Sequence, residues 1–305
     1  MIYGAGSQGR GVLRSLRSAR LEPVGFIDRN PGLHGSTVGG IPVHSPAALD
    51  APEAAECLFV IVAAFFFERE ISGLLQARGF TEGEGYLPYS QLKPRDYVVE
   101  VSGVCNLRCI TCPRASRRPA GRNAAMMDAP TFGRVLEKIR REDPFVGNLQ
   151  LYQWGEPTLN RKLPQMIRLA GEHGFLCSVS SNLNHPADFR ALVESRPECL
   201  RLSVSGVEGG YERTHTGGRW ETFLANVETI GRLRRSLYPE MKVELYYHCY
   251  KHSLGAPLER VAALSSRLGF EFHPIPAYLI SLDDVLAYCE GRPLPDPACT
   301  ARELL

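Results

Sequence analysis

The chain has 305 residues, 22% of them charged and 44% hydrophobic, an ordinary balance for a globular protein. Lys and Arg number 35 and Asp and Glu 33, so the net charge is +2 and gives no reason to expect nucleic acid or an acidic membrane as a partner. The composition excludes global disorder, collagen-like structure and long coiled coils, and a prior of about 150 residues per domain points to two domains.

The longest apolar run, Leu58 to Phe67, is ten residues and too short to span a bilayer. The N-terminus, Met1-Ile2-Tyr3-Gly4, has no basic segment followed by an apolar one, so the cytoplasm is the expected compartment. Nine cysteines in such a chain favour metal binding over disulfides, above all where three fall within eight residues.

The first ninety residues alternate short strands and helices. Strands are expected at Met1 to Tyr3, Pro23 to Asp28 and Leu58 to Ala63, with helical spacing over 10–20 and 68–78. Such alternation implies a parallel sheet with crossover helices. Gly and Pro crowd 31–46 and 79–94, which read as loops, and Gly79 to Pro94 reads as a linker. Gly4, Gly6 and Gly9 follow the first strand at dinucleotide-loop spacing, and Asp28 lies nineteen residues after Gly9. Glycines there permit a tight turn, and a helix N-terminus favours a pyrophosphate. With Val24 to Asp28 and Gly40 to Val43, the region resembles the small Rossmann-like domains found ahead of sugar acyltransferases. That resemblance implies a nucleotide or nucleotide sugar. The rival reading is a domain that kept the fold and binds nothing, or only docks a partner.

From Tyr97 the alternation continues in longer units. Strands are expected at 97–102, 148–153, 175–180, 199–205, 242–250 and 270–275, and helices at 131–142, 162–173, 187–195, 219–237 and 257–268. Trp220, Phe223, Leu224, Val227, Ile230 and Leu233 share one helical face, with Arg232, Arg234 and Arg235 mostly opposite. Six units in this span fall short of a closed eight-unit barrel, which takes about 250 residues. The expected architecture is α/β: a Rossmann-like parallel-sheet domain over 1–90, then a partial (β/α)6 barrel over 95–280. Residues 281–305 would form an extended tail, the start of a truncated further domain, with Pro293, Pro295, Pro297, Cys289 and Cys299 in or beside it.

Directly after the first barrel strand come Cys105-Asn106-Leu107-Arg108-Cys109-Ile110-Thr111-Cys112. Three thiolates on a loop at a strand's C-terminal end suit a cubane cluster with one iron left open. A zinc site would need a fourth ligand; Cys177 and Cys199 both lie in expected strands. Cys57, Cys177, Cys199 and Cys249 otherwise read as buried small hydrophobes.

Three further segments follow at strand ends: Trp154-Gly155-Glu156-Pro157, Ser181-Asn182 and Ser203-Val204-Ser205-Gly206. With the cysteine loop, residues 97–280 resemble the radical S-adenosylmethionine (SAM) superfamily, in the subgroup with C-terminal extensions. The resemblance implies a [4Fe-4S] cluster on Cys105, Cys109 and Cys112. It places SAM against Gly155, Glu156, Pro157, Asn182, Ser203 and Ser205. It departs at Thr111, where many members carry an aromatic residue, at Trp154 and Leu183 for Gly, and at Ser205 for Asp. The implied chemistry is reductive cleavage of SAM to a 5′-deoxyadenosyl radical that abstracts hydrogen from a substrate. The expected substrate is a sugar or nucleotide-linked metabolite, with peptide modification as the alternative, and the expected partner is an electron donor such as flavodoxin or ferredoxin.

Period-two alternation sets Glu100 and Ser102 opposite Val99 and Val101, and Glu244, Tyr246, His248 and Tyr250 opposite Val243, Leu245, Tyr247 and Cys249. Glu100, Tyr152, Tyr246 and His248 are therefore cavity candidates; a solvated or internally bonded polar face is the rival reading. Arg108, Arg114, Arg117, Arg118 and Arg122 crowd the segment after the cysteines without an acid, which reads as a solvated loop or as a seat for an anionic substrate or a reductant. No His pair has metal-ligand spacing. Two other functions stay open: an NAD-dependent oxidoreductase using the glycine loop, and a non-enzymatic zinc-binding scaffold.

Overall fold

The computed structural model describes residues 1–18, 20–51, 53–92, 95–112, 125–143, 146–277, 286–287 and 289–292. Arg114, Arg117, Arg118, Arg122, Cys299 and the three tail prolines lie outside the described residues. The chain forms two compact units: residues 1–97 with 135–149 and 172–176, and residues 98–134, 150–171 and 177–305. No described helix is long and apolar enough to cross a membrane.

The first unit contains a sheet of β1 (Ile2–Tyr3), β2 (Phe26–Ile27), β3 (Thr37–Val38), β4 (Ile41–His44), β5 (Val60–Val62) and β6 (Tyr86–Pro88), in the order β3-β4-β2-β1-β5-β6. Only the β3–β4 pair is antiparallel. The parallel strands alone run third, second, first, fourth, fifth. Their residues alternate between two cores. Ile2, Phe26 and Ile61 join one cluster; Tyr3, Ile27, Val60 and Val62 join the other. Period two thus buries both faces, the usual condition of a parallel sheet.

Two expectations for this unit are corrected. The 31–46 stretch is not a plain loop but holds the β3–β4 hairpin. Gly39 and Gly40 turn it with φ of +58° and +81°, as a two-residue primed turn requires. Pro42 inside β4 had masked the strand. The 79–94 stretch is not a linker either. Phe80 and Tyr86 are buried in the core, and β6 pairs with β5.

The second sheet has the order β12-β11-β10-β9-β8-β7, from β7 (Arg95–Val98), β8 (Val146–Gln150), β9 (Cys177–Ser181), β10 (Cys199–Val204), β11 (Lys242–Cys249) and β12 (Glu271–Pro276). The β9 to β12 pairs are parallel. Sequence-order neighbours, helical crossovers and unjoined edges make this a partial (β/α) barrel. The helix Trp220–Leu237 buries Trp220, Phe223, Val227 and Ile230, as its periodicity predicts. The helix Glu208–Thr214 escaped prediction because Gly209 and Gly210 weaken its propensity. Regular pairing in β7 stops at Val98, short of the expected Ser102. Beyond it the chain is held singly, by Val99 N–H to the Gln150 carbonyl at 2.9 Å and Met127 N–H to the Val101 carbonyl at 3.1 Å.

Candidate active site

The cysteine loop is anchored by its own apolar residues. Leu107 and Ile110 are buried, while Cys105, Cys109 and Cys112 stay half-buried. Backbone bonds from Arg108 N–H to the Thr216 carbonyl (2.9 Å) and Ile110 N–H to the Thr214 carbonyl (3.1 Å) pin the loop. The Cys105 sulfur receives the Leu107 N–H at 3.5 Å and the Asn182 amide at 3.7 Å. Asn182 also donates to the Asn106 side chain at 3.1 Å, so the residue after β9 is fixed against the loop.

All three thiols face one pocket of about 210 Å³. Burial, and then the neighbouring Cys112 and Cys105, push the Cys109 thiol well above the usual range. Three thiolates there repel one another unless a cationic centre sits among them. Three thiols from one loop would suit a multi-iron cluster, in which each thiolate takes its own iron.

The turn after β8 supplies the facing wall. The Glu156 N–H reaches the Val104 carbonyl at 2.8 Å, tying the turn to the cysteine loop. A side chain at Gly155 would put its Cβ 1.8 Å from the Ser102 carbonyl oxygen, so only glycine fits. Glu100 does not line the pocket: its carboxylate accepts the Trp154 and Gly155 N–H groups at 2.8 and 2.7 Å. It braces the turn from behind. Glu156 is 3% exposed; its carboxylate accepts from Thr158 N–H (3.1 Å), Ser181 Oγ (2.8 Å) and Asn182 N–H (2.8 Å).

Of the other expected residues, Gly155, Glu156, Asn182, Ser203, Tyr152 and His248 line the pocket, whereas Pro157, Ser205 and Tyr246 do not. Tyr246 instead stacks under the Arg201 guanidinium at 4.0 Å, and Tyr152 Oη accepts from Arg201 at 2.9 Å. Ser205 is fully buried and bonds Thr214 and, at 2.8 Å, His215 Nδ1. Position 111 lacks an aromatic, but Tyr250 brings one to the same pocket, its hydroxyl 2.9 Å from Thr111 Oγ1. Cys177, Cys199 and Cys249 are buried as expected; Cys57 is exposed, a correction, because it ends a four-residue helix at the surface.

His215 was not foreseen, for no motif surrounds it. It lines the pocket, stacks on Tyr211 at 4.4 Å and is 5% exposed. Burial, then His248, lowers its pKa to about 3; burial, then Arg201, lowers that of His248 to about 4. Unfolded, both would titrate near 6.5. The native state therefore binds fewer protons below that pH, and stability falls as pH drops from 6.5 toward about 4. Each ring contributes a slope of about 1.4 kcal/mol per pH unit. Urea unfolding across that window should show a slope that His215→Gln reduces by about one proton's worth; an unchanged slope would refute the assignment.

Lower in the barrel, Glu244, Glu271 and His273 bring three donor atoms within 4.8 Å. Lys242 Nζ already sits 2.6 Å from Glu244 and 3.0 Å from Glu271, so an ammonium is the counter-ion of this group. In the first unit, Gly4 (φ +107°) and Gly9 close the expected glycine loop: a Cβ at Gly9 would lie 1.8 Å from the Gly4 carbonyl oxygen. Gly4, Gly6, Asp28, Arg29, Phe66 and Phe67 line a cavity of about 530 Å³. The Asp28 carboxylate accepts the Ala5 and Asn30 N–H groups, both at 2.8 Å.

No family model matches the chain. A segment of 81 residues, 26% of the chain, is 35% identical to 15% of 7,8-dihydro-6-hydroxymethylpterin dimethyltransferase from Methanocaldococcus jannaschii. Among solved structures, SuiB of Streptococcus suis aligns with a TM-score of 0.50 at 14% identity, covering 75% of this chain and 59% of SuiB. SuiB bound to S-adenosylmethionine and SuiB bound to the precursor peptide SuiA each align at 0.47, with 17% and 15% identity, over 68% of this chain and 51% of SuiB. This chain thus shares a fold with SuiB and spans little more than half of it.

Proposed function

We propose that this chain is a radical SAM enzyme in which Cys105, Cys109 and Cys112 hold a [4Fe-4S] cluster. One observation carries the reading: three thiols from one loop share a pocket with Glu156 and Asn182 from the ends of the next two strands. When bound and reduced, the cluster supplies the electron that cleaves SAM to a 5′-deoxyadenosyl radical. The chain's residues bind and orient. Glu156 and the neighbouring backbone hold the amino group of SAM, because a carboxylate and carbonyls suit an ammonium. Asn182 fixes the Cys105 sulfur. Ser203 takes the ribose or carboxylate, Tyr250 offers a ring for the adenine, and Ser205 orients His215 from behind. A flavodoxin or ferredoxin supplies the electron.

The peptide is the better supported substrate class, ahead of a sugar or nucleotide-linked metabolite. SuiB, which shares the fold, is a protein solved with a precursor peptide. Anaerobic reconstitution with iron and sulfide tests the function. The expected product is a brown protein that forms 5′-deoxyadenosine from SAM once reduced. A colourless protein that takes up zinc, or turnover of reduced nicotinamide without iron, would overturn it.

A second site belongs to the first unit. The parallel strand order, the close approach at Gly4 and Gly9, and the cavity beside them support a nucleotide or nucleotide sugar. Tyr3, which lines that cavity, is 1% exposed and its hydroxyl has no hydrogen-bond partner among the described residues, as a group kept for a ligand would be. Calorimetric titration with NAD and with uridine diphosphate sugars should give a saturable heat that Gly9→Val abolishes; no heat from either would reject the site.

A further inference from the structure

A second cavity in the barrel unit, about 660 Å³, is lined by Thr158, Asn160, Arg161, His185, Pro186 and Asp188. Thr158 and His185 join it to Glu156. The Thr158 hydroxyl oxygen lies 2.5 Å from Glu156 Oε1 and 2.6 Å from His185 Nε2. His185 Nδ1 lies 2.9 Å from the Pro186 carbonyl oxygen, which can only accept, so Nδ1 carries a hydrogen.

The hydroxyl has a single hydrogen to give. The Glu156 carboxylate already receives two N–H groups and the Ser181 hydroxyl. The Thr158 hydroxyl is a further donor to that carboxylate, so its single hydrogen points at Glu156. His185 Nε2 then meets a lone pair of the Thr158 oxygen. At 2.6 Å that contact is a hydrogen bond only if Nε2 bears a hydrogen as well. Asp188, the acid in this cavity, is engaged elsewhere: its Oδ1 caps a helix through Ala191 N–H at 2.9 Å.

We propose that Thr158 and His185 are positioning residues forming a proton-sharing chain from the outer cavity to Glu156. His185 carries a hydrogen on both ring nitrogens, and the chain keeps the carboxylate aimed at a cationic group in the pocket. The identity of that cationic group, the amino group of SAM, rests on the proposed function; the chain itself does not.

Histidine-selective nitrogen NMR on the metal-free full chain at neutral pH reads the hydrogens directly. Two protonated nitrogens are expected for His185, collapsing to one in Thr158→Val and in Glu156→Gln and retained in Thr158→Ser. A single N–H on Nδ1 in the native protein, or two that survive both variants, would overturn the chain. Equilibrium dialysis of SAM against the reconstituted, unreduced protein reads its consequence. Glu156→Gln, His185→Phe and His185→Gln should each weaken binding about tenfold or more, as for a lost charge-assisted bond. Weakening by Glu156→Gln alone would remove His185 from SAM binding. Unchanged affinity in Glu156→Gln would instead sink the functional reading and leave the NMR result standing.

Discussion

Serine at any one of Cys105, Cys109 or Cys112 is expected to abolish iron retention and to cut 5′-deoxyadenosine formation by more than about 100-fold, given that residues behind metal ligands already cost about 10- to 100-fold. Backbone bonds from Arg108, Ile110 and Cys112 fix the loop, and no fourth cysteine is among the described residues lining the pocket. Asn182→Ala is the graded comparison. It removes the amide at 3.7 Å from the Cys105 sulfur but no ligand, and should cost roughly tenfold. The fold should tolerate all four changes. Without metal, Cys109 is a neutral half-buried thiol, and urea unfolding of the metal-free variants should stay within about 1 kcal/mol of the native chain. Serine variants that kept iron and made 5′-deoxyadenosine would defeat the assignment.

Gly155→Ala should produce the largest loss of stability of any single methyl added to this chain's site. Its Cβ would lie 1.8 Å from the Ser102 carbonyl oxygen and 2.9 Å from that of Val104. Both neighbours are backbone, so no side chain can swing away. Relief requires the turn to move, and the turn holds the Glu156–Val104 bond and both N–H contacts to Glu100. Overpacking of this kind costs about 1–3 kcal/mol where side chains yield. Against fixed backbone, about 3 kcal/mol or more is expected, with loss of SAM binding because Glu156 moves too. Gly171→Ala is the control: outside its own helix, no described residue lies within 4 Å of its Cβ, so a helix position there should gain up to about 1 kcal/mol. Equal unfolding midpoints for Gly155→Ala and the native chain would show that the close approach is not sustained in solution.

Much of the barrel was legible because its signals are local. The Trp220 face repeats at helical spacing, and the cysteines are spaced along one loop. The β3–β4 hairpin and β6 were lost for an equally local reason. Pro42 and the Gly-rich flanks outweighed burial, which a sequence does not display.

Residue types and their spacing determined the α/β alternation, the cysteine loop and the positions of Gly155, Glu156 and Asn182 at strand ends. Tertiary structure alone decided what those side chains do. It turned Glu100 away from the pocket to bind two amides, and placed Tyr250 beside Thr111 across 139 residues of sequence. It also set His215 against Ser205 and His185 against Thr158. The physical reason is that a polar side chain's role depends on which donors and acceptors lie within about 3 Å of it. For these groups, most of those partners come from segments beyond the ends of different strands, brought together only when the sheet forms.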